Sequence, residues 1–165
     1  MNLEISEMRE IDALAARYFF SRFGDASSVP FRATNIGSSI SYALPVLTTL
    51  IGARAGEVVI IENPQAHLHP RGQTKMGELA VCAATAGVQV VIETHSDHLL
   101  DGVRLSVRRG KAASELTRIH FFTRGGAESH AVSPKLLSDG SLTDWPKGFF
   151  DERDENLLSL LSPVD

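Results

Sequence analysis

Glu57-Val58-Val59-Ile60-Ile61, bounded by Gly56 and Pro64, is the stretch that decides the fold of this chain. A short β-branched run between turn residues predicts a strand. The run Val88–Glu93 repeats the pattern after about one helix length and predicts a second strand. Continuous apolar strands are typical of parallel sheets covered on both faces, so we expect both strands to be buried.

The segments around these strands predict helices. One helix is expected over His69–Ala86, with Pro70 near its start and Gly87 just past its end. Ser96 is placed to cap a second helix over Asp97–Arg109, which Gly110 ends. Strand, helix, strand and helix in this order predict an α/β fold with a parallel core.

Three predictions cover the N-terminal part of the chain. Apolar residues at helical spacing predict an amphipathic helix over Leu3–Phe23, capped by Gly24. The Ser- and Pro-containing stretch 25–35 predicts a loop. Ser38–Gly52 predicts an apolar helix, and Pro45 indicates that it begins near residues 41–43, because proline is tolerated in a first turn.

The C-terminal part predicts a β-hairpin over residues 118–132, followed by a turn-rich segment and a short acidic helix over 151–161. We expect its large aromatic residues to dock this tail on the body of the protein: Trp145, Phe149 and Phe150. The predicted division is a main domain over 1–134 and a tail over 135–165.

Composition narrows the class of protein. A chain of 165 residues with 43% hydrophobic content is enough for one core. Its longest apolar stretches are too short to cross a bilayer, and its first residues lack the pattern of a secretory signal, so we expect a cytoplasmic protein. The single cysteine, Cys82, is expected to be a small buried hydrophobe.

The charge pattern leaves two interpretations open. The net charge of -4 does not favour nucleic acid, yet basic residues gather between Arg104 and Arg124. This stretch is either a solvated surface or a local DNA-facing patch. The composition favours the solvated surface.

Polar side chains follow both predicted strands. Glu62 ends the first strand, and His95 comes shortly after the second. Because the carboxyl ends of parallel strands meet at the edge where open α/β sheets bind ligands, we expect the two to share one crevice. A carboxylate in this position can hold Mg²⁺ directly or through water.

At these residues the sequence resembles ABC/SMC-like ATPases of the OLD type. Four segments carry the resemblance, namely the strand ending at Glu62 with Leu68-His69-Pro70 after it, Thr94-His95-Ser96, the segment 35–45, and the segment 144–152. The last is similar to the end of a branch with a C-terminal domain of unknown function. The resemblance implies a partial P-loop NTPase fold carrying the C-terminal elements of the ATPase domain.

The resemblance also implies roles for individual residues. Glu62 would be the Walker B carboxylate on the metal side, and His95 the switch histidine that senses the γ-phosphate. The signature-like loop would reach the nucleotide of the opposite subunit, and further residues beside Glu62 would adjoin the nucleotide. These nucleotide-binding candidates are Gly37, Ser38, Ser39, Asn63 and Gln65.

Two departures from the family pattern concern the chemistry. Asn63 and Gln65 stand where acids are frequent, and an amide cannot act as a general base. The sequence also contains no Gly-x-x-x-x-Gly-Lys-Ser/Thr loop. Losing about four contacts of ~1.5 kcal/mol each weakens a micromolar ATP site to tens of millimolar. We therefore expect weak or absent ATP and Mg²⁺ binding by the isolated chain.

Partners follow from the same resemblance. It implies a homodimer or a partner chain that bears a Walker A loop, with DNA as a further partner in DNA maintenance or defence against foreign DNA.

The sequence leaves two other classes of function open. A zinc-dependent metallohydrolase has adequate ligand chemistry in the cluster His67, His69, His95, Asp97 and His98. A non-catalytic interaction module would keep the ATPase-like shape and use its surface to bind another chain.

Overall fold

The computed structural model describes residues 2–8, 13–19, 31–32, 35, 37–126 and 128–162. In chain order the strands are β1 (Asn2–Met8), β2 (Ala13–Phe19), β3 (Phe31–Arg32), β4 (Val58–Glu62), β5 (Gln89–Glu93), β6 (Phe121–Gly125) and β7 (Glu128–Val132). The helices are α1 (Ser38–Gly52), α2 (Pro70–Thr85), α3 (Asp97–Arg108) and α4 (Glu152–Leu161). None of these helices is long and apolar enough to cross a membrane.

The central unit is the pair β4–β5, joined by the crossover helix α2. The two strands are parallel, with Val58 opposite Gln89 and Glu62 opposite Glu93. The predicted α/β order with a parallel core is confirmed.

One face of this sheet packs against helices. Val59 from β4, Leu50 from α1, Met76 from α2 and Leu99 from α3 form the main hydrophobic core, together with Ala83 and Val88. Ile61, Val90 and Ile92 pack against it and are partly buried. The helices that contribute to this core therefore lie on the same side of the sheet.

The prediction that both faces of the sheet are covered is wrong. Val58, Ile60 and Val91 are 57%, 73% and 45% exposed. Successive side chains of a strand point to opposite faces, and the helices cover the face of Val59. The opposite face leaves apolar side chains in contact with solvent.

The N-terminal segment was predicted wrongly as a helix over Leu3–Phe23. Its described residues form two antiparallel strands, in which Asn2 pairs with Phe19 and Met8 pairs with Ala13. In Leu3-Glu4-Ile5-Ser6, apolar and polar residues alternate, which is typical of a strand. The same segment also has apolar residues at helical spacing, so the sequence pattern fits both structures. The proposed cap, Gly24, lies outside the described residues.

The loop predicted over 25–35 is only partly described. Phe31–Arg32 forms a short strand beside β2, in which Arg32 pairs with Arg17, so this part of the prediction is wrong. Pairing with a neighbouring strand decides its conformation, and local composition does not show that pairing.

Helix α1 begins at Ser38 and not near residues 41–43 as predicted, so Pro45 lies in its interior. Proline lacks the backbone N–H that a helix interior uses, which costs about 3 kcal/mol. The helix is retained because Leu50 is buried in the core and Val46 and Leu47 pack against it. Packing outweighs the local cost here.

Cys82 is exposed on α2, which corrects the prediction of a buried side chain. The buried residues of this helix include Met76, Gly77, Ala80 and Val81. A rotation of about 100° per residue places position 82 on the opposite side of the helix from them. An apolar sequence setting does not reveal which side of a helix faces the core.

The tail docks through one arginine and an aromatic cluster. Arg104 on α3 donates from Nε to the Gly140 carbonyl at 2.8 Å, and its guanidinium lies 5.4 Å from the centre of the Trp145 ring. Phe149 is buried and its ring centre lies 5.2 Å from those of both Trp145 and Phe121. Trp145 and Phe149 thus contact the body of the protein as predicted, and Phe150 contacts Phe149 within the tail.

Part of the basic stretch is engaged with acids on its own surface. Glu78 on α2 contacts Lys75 at 2.7 Å, Arg109 at 3.1 Å and Lys111 at 3.9 Å. The hydrogen bond from Lys75 and the charges of the three cations hold the pKa of the Glu78 carboxyl below its usual value. This cluster ties the end of α3 to α2.

Helices α2 and α3 touch through their backbones at two glycines. A Cβ on Gly77 would collide with the Leu99 carbonyl oxygen, and one on Gly102 would collide with the Thr74 carbonyl oxygen. Backbone atoms cannot move aside as a flexible side chain can. Both positions therefore require glycine.

We expect Gly77→Ala to lower the free energy of unfolding by about 2 kcal/mol or more, because the helices must separate. Gly72→Ala in the same helix is the matched control, since its Cβ would meet the Leu68 Cβ at an ordinary 3.6 Å. Gly72→Ala should raise stability by up to about 1 kcal/mol. Urea unfolding of both variants measures the difference, and equal effects would contradict the helix crossing.

Candidate functional site

Two carboxylates stand side by side where β4 and β5 end. Glu62 and Glu93 are register partners, and the pairing continues one step further, with the Asn63 N–H donating to the Glu93 carbonyl at 3.0 Å. Neighbouring strands lie about 4.8 Å apart, and both side chains are exposed. The strand ends form a small acidic edge.

The loop after β4 turns sharply back towards this edge. Asn63 and His67 have φ angles of 48° and 60°, in the left-handed region. Asparagine adopts this conformation more readily than most residues, and Ala66 closes the turn by donating its N–H to the Asn63 carbonyl at 3.1 Å. The turn brings Gln65 to the sheet edge.

A chain of side-chain hydrogen bonds joins the two loops that follow the strands. Gln65 donates from Nε2 to Asn63 Oδ1 at 3.1 Å and accepts from Thr94 Oγ1 at 2.7 Å. Thr94 Oγ1 in turn accepts from the Ser96 N–H at 3.1 Å. Gln65 is therefore a bridge between the loops, with both ends of its amide in use.

A second bridge, which sequence analysis missed, runs through Gln73. Ser96 is buried and donates from Oγ to Gln73 Oε1 at 2.6 Å, while Gln73 Nε2 donates to the Leu68 carbonyl at 2.8 Å. Ser96 Oγ also accepts from the Leu99 N–H at 3.0 Å, which confirms its predicted role as the cap of α3. A glutamine in the first turn of α2 gives no sequence signal for this contact.

His95 is held by its neighbour Glu93. Its Nε2 lies 3.1 Å from Glu93 Oε1, and the two side chains are 85% and 48% exposed. Sequence analysis gave Glu93 no role, although it ends the second strand. The carboxylate orients an imidazole that is otherwise open to solvent.

The other histidines take separate positions. His67 stacks on Tyr42 of α1, with ring centres 4.3 Å apart, and His69 accepts the Arg71 N–H at the start of α2. His98 Nε2 lies 3.9 Å from Asp97 Oδ1. Across the described ranges, no three His, Cys, Asp or Glu side chains come together as a metal site. The histidine cluster of the zinc hypothesis is not assembled.

The signature-like residues lie at the start of α1. Gly37 precedes the helix with φ 88°, a conformation that favours glycine, and Ser38 and Ser39 form its first turn. The Tyr42–His67 stack places this half of α1 beside the loop after β4. No hydrogen bond among the described residues joins residues 37–39 to Glu62 or His95.

The family comparison places this α/β chain in the AAA/ABC-like P-loop ATPase class. Residues 8–101, more than half of the chain, match the family described as "AAA domain, putative AbiEii toxin, Type IV TA system", and the chain belongs to this family. Residues 113–160 match a second family, "Protein of unknown function (DUF3696)". The resemblance to an AAA/ABC-like P-loop ATPase with a C-terminal domain of unknown function is confirmed. No curated protein matches the chain.

Membership of this family indicates the class of activity, which is nucleotide binding and ATP hydrolysis. The second match begins before the hairpin β6–β7 and ends within α4, so it spans the docked tail. The division into 1–134 and 135–165 stays a prediction.

We expect Ser96→Ala to lower the free energy of unfolding by about 1–2 kcal/mol, because it removes a helix cap and leaves Gln73 without its donor. Ser159→Ala on α4 is the control, since its hydroxyl is exposed and donates only to the Glu155 carbonyl at 3.0 Å. The control should stay within about 0.5 kcal/mol of the parent. Thermal and urea unfolding measure both, and equal stabilities would show that the bridge contributes nothing.

Proposed function

We propose that this chain supplies the Walker B and switch-histidine part of an ABC/SMC-like ATPase site, and that a Walker-A-bearing segment or partner chain supplies the phosphate-binding loop. The observation that carries the proposal is the arrangement at the strand ends. Glu62 pairs in register with Glu93, and Glu93 holds His95. In open α/β sheets this edge is where ligands bind.

The residues present suit the cofactor that the class uses. Glu62 and Glu93 offer exposed carboxylate oxygens on adjacent strands, and hard oxygen ligands are those that Mg²⁺ prefers. Bound Mg²⁺ would neutralise charge on the nucleotide phosphates. Glu62 is the carboxylate we assign to the metal side of the site.

His95 suits the role of a phosphate-sensing residue. Its Nε2 is engaged by Glu93 Oε1, which leaves Nδ1 as the ring nitrogen for a phosphate oxygen. The exposed ring has room to approach a ligand at the edge of the sheet. Glu93 acts through His95, as the group that positions it.

Asn63 and Gln65 contribute to the shape of the site. Their amides bond to each other, and Gln65 also accepts from Thr94. An amide does not take up a proton near neutral pH, so neither replaces the general base. With both amides excluded, Glu62 is the acidic side chain beside this loop to which we assign the role of orienting water.

The open face of the sheet supports a requirement for a further segment. Val58, Ile60 and Val91 expose apolar side chains on the strands that carry the site. Parallel sheets of this type are stable when both faces are covered. The proposal therefore includes a further segment that bears the phosphate-binding loop. It also includes a second copy of the chain, whose Gly37, Ser38 and Ser39 would reach the nucleotide in trans. DNA is the third proposed partner.

The same open face favours a second candidate, a non-catalytic interaction module. In that case the apolar side chains of β4 and β5 would bind a partner chain without nucleotide chemistry. The two candidates differ in whether Glu62 affects turnover. The metallohydrolase has no such support, because its histidines stack, cap and pair at separate places.

Calorimetric titration of the purified chain with Mg²⁺-ATP tests the half-site directly. We expect no saturable heat at micromolar ATP, since about four charge-assisted contacts are missing and the affinity should lie in the tens of millimolar. Elemental analysis of the same sample should find no stoichiometric zinc. Micromolar binding would contradict the half-site, and bound zinc would favour the metallohydrolase.

Hydrolysis in an assembly that contains the phosphate-binding loop tests the role of Glu62. We expect Glu62→Gln to abolish turnover and leave the fold intact, because the neutral amide binds Mg²⁺ more weakly than a carboxylate and cannot accept a proton. Replacing His67 and His69 together by Ala is the control and should leave the rate within a few-fold. Unchanged turnover in Glu62→Gln would favour the interaction module.

A further inference from the structure

The hairpin β6–β7 has one face that packs on the tail and an outward face that does not. Phe121 points towards the tail, where its ring centre lies 5.2 Å from that of the buried Phe149. Successive side chains of a strand point to opposite faces, so Phe122 and Arg124 lie on the outward face. Phe122 is 69% exposed there.

The outward face carries a row of basic and aromatic side chains. Ile119 and Phe121 are half-buried, and the residues that alternate with them are exposed. His120 Nδ1 lies 2.8 Å from Ser133 Oγ, and the His120 ring centre lies 6.5 Å from that of Phe122, which places both rings on this face. In an extended chain, residues two apart lie about 6.8 Å from each other, so the row is about 20 Å long. This basic-aromatic row consists of Arg118, His120, Phe122 and Arg124.

The hairpin keeps negative charge away from this row. Ala131 lies opposite Phe122. Ser129 lies opposite Arg124, and both residues of β7 are too small to cover the row. Glu128 is the one acid in the sequence between residues 118 and 133. It precedes Ser129 in the strand, so its side chain points to the opposite face.

Both arginines of the row are held in place and keep their charge. Arg118 donates from Nη1 to two backbone carbonyls at 2.8 and 3.0 Å, and Arg124 donates from Nε to a third at 3.2 Å. Carbonyl oxygens orient a guanidinium without neutralising it. Among the residues that the structure describes, neither guanidinium pairs with a carboxylate, whereas Arg109 lies 3.1 Å from Glu78. The basic stretch therefore divides into a paired part on α3 and an unpaired part on the hairpin.

We propose that the basic-aromatic row binds single-stranded DNA, with Phe122 stacked on a base and Arg118 and Arg124 on phosphates. Surfaces that bind single strands combine cations that follow the backbone with aromatic rings on which bases stack. In a duplex the base faces are already stacked on each other, so Phe122 favours a single strand. The choice of DNA rests on the proposed function, and the inference assigns that partner to the segment of unknown function.

The expected affinity is modest and depends on salt. Each phosphate contact to a single strand contributes about -0.7 to the slope of log K against log salt concentration, so two arginines predict a slope of about -1.4. Stacking on Phe122 should contribute a factor of about 5 to 150. The net charge of -4 opposes a wider electrostatic footprint.

Fluorescence anisotropy tests the row with a labelled oligothymidylate of about 12 nucleotides, titrated with the full chain at several low salt concentrations and without nucleotide. The variants are Phe122→Ala, Phe122→Leu and the double change of Arg118 and Arg124 to Gln. Arg109→Gln is the matched control, because it removes an arginine that is already paired with Glu78. Thermal unfolding of each variant checks that the fold is kept.

We expect Phe122→Ala to weaken binding about fivefold or more without changing the salt slope. Phe122→Leu should weaken it as well, because leucine keeps an apolar surface but has no ring to stack. The double arginine variant should bring the slope close to zero. Arg109→Gln should leave both the affinity and the slope near those of the parent chain.

Several results would overturn the proposal. They are no saturable binding at low salt, equal binding by Phe122→Ala, and equal or tighter binding of the duplex with oligodeoxyadenylate. Equal displacement of the DNA by polyglutamate would show a site for acidic peptides instead, and tighter binding of oligouridylate would show a site for RNA. None of these results bears on the strand-end site, whose failure would show as unchanged turnover in Glu62→Gln.

Discussion

Helices α2 and α3 cross with their backbones in contact at Gly77 and Gly102, and the geometry of the strand ends depends on this approach. The crossing brings the start of α3 against the first turn of α2, where Ser96 reaches Gln73. That bond fixes the connection carrying His95 relative to the loop after Glu62. A side chain at either glycine would change the geometry of the site by separating the helices, without contacting the site itself.

The sequence predicts well where local chemistry decides the structure. The apolar runs of β4 and β5, the proline and glycine around α2 and the cap at Ser96 each carry a local physical preference, and the structure shows these elements within one or two residues. It predicts poorly where distant contacts decide. The strands β1 and β2 depend on pairing with each other, and α1 keeps Pro45 because Leu50 packs in the core.

The residues of the candidate site show the same difference between local patterns and distant contacts. Glu62 and His95 could be selected as candidates from the sequence because carboxyl ends of parallel strands lie at one edge whatever the details of packing. Glu93 and Gln73 were missed as partners because their contacts depend on side-chain placement across the sheet and between helices.

Cys82 has a practical consequence for studies of assembly. It is the single cysteine of the chain, and it is exposed on α2. Oxidation therefore cannot form a bridge within one copy, but it can join two copies through their thiols. Covalent pairs formed in air would report the chemistry of this surface and would have to be removed with a reductant before any natural pairing is measured. The same thiol offers one defined position for a spectroscopic label.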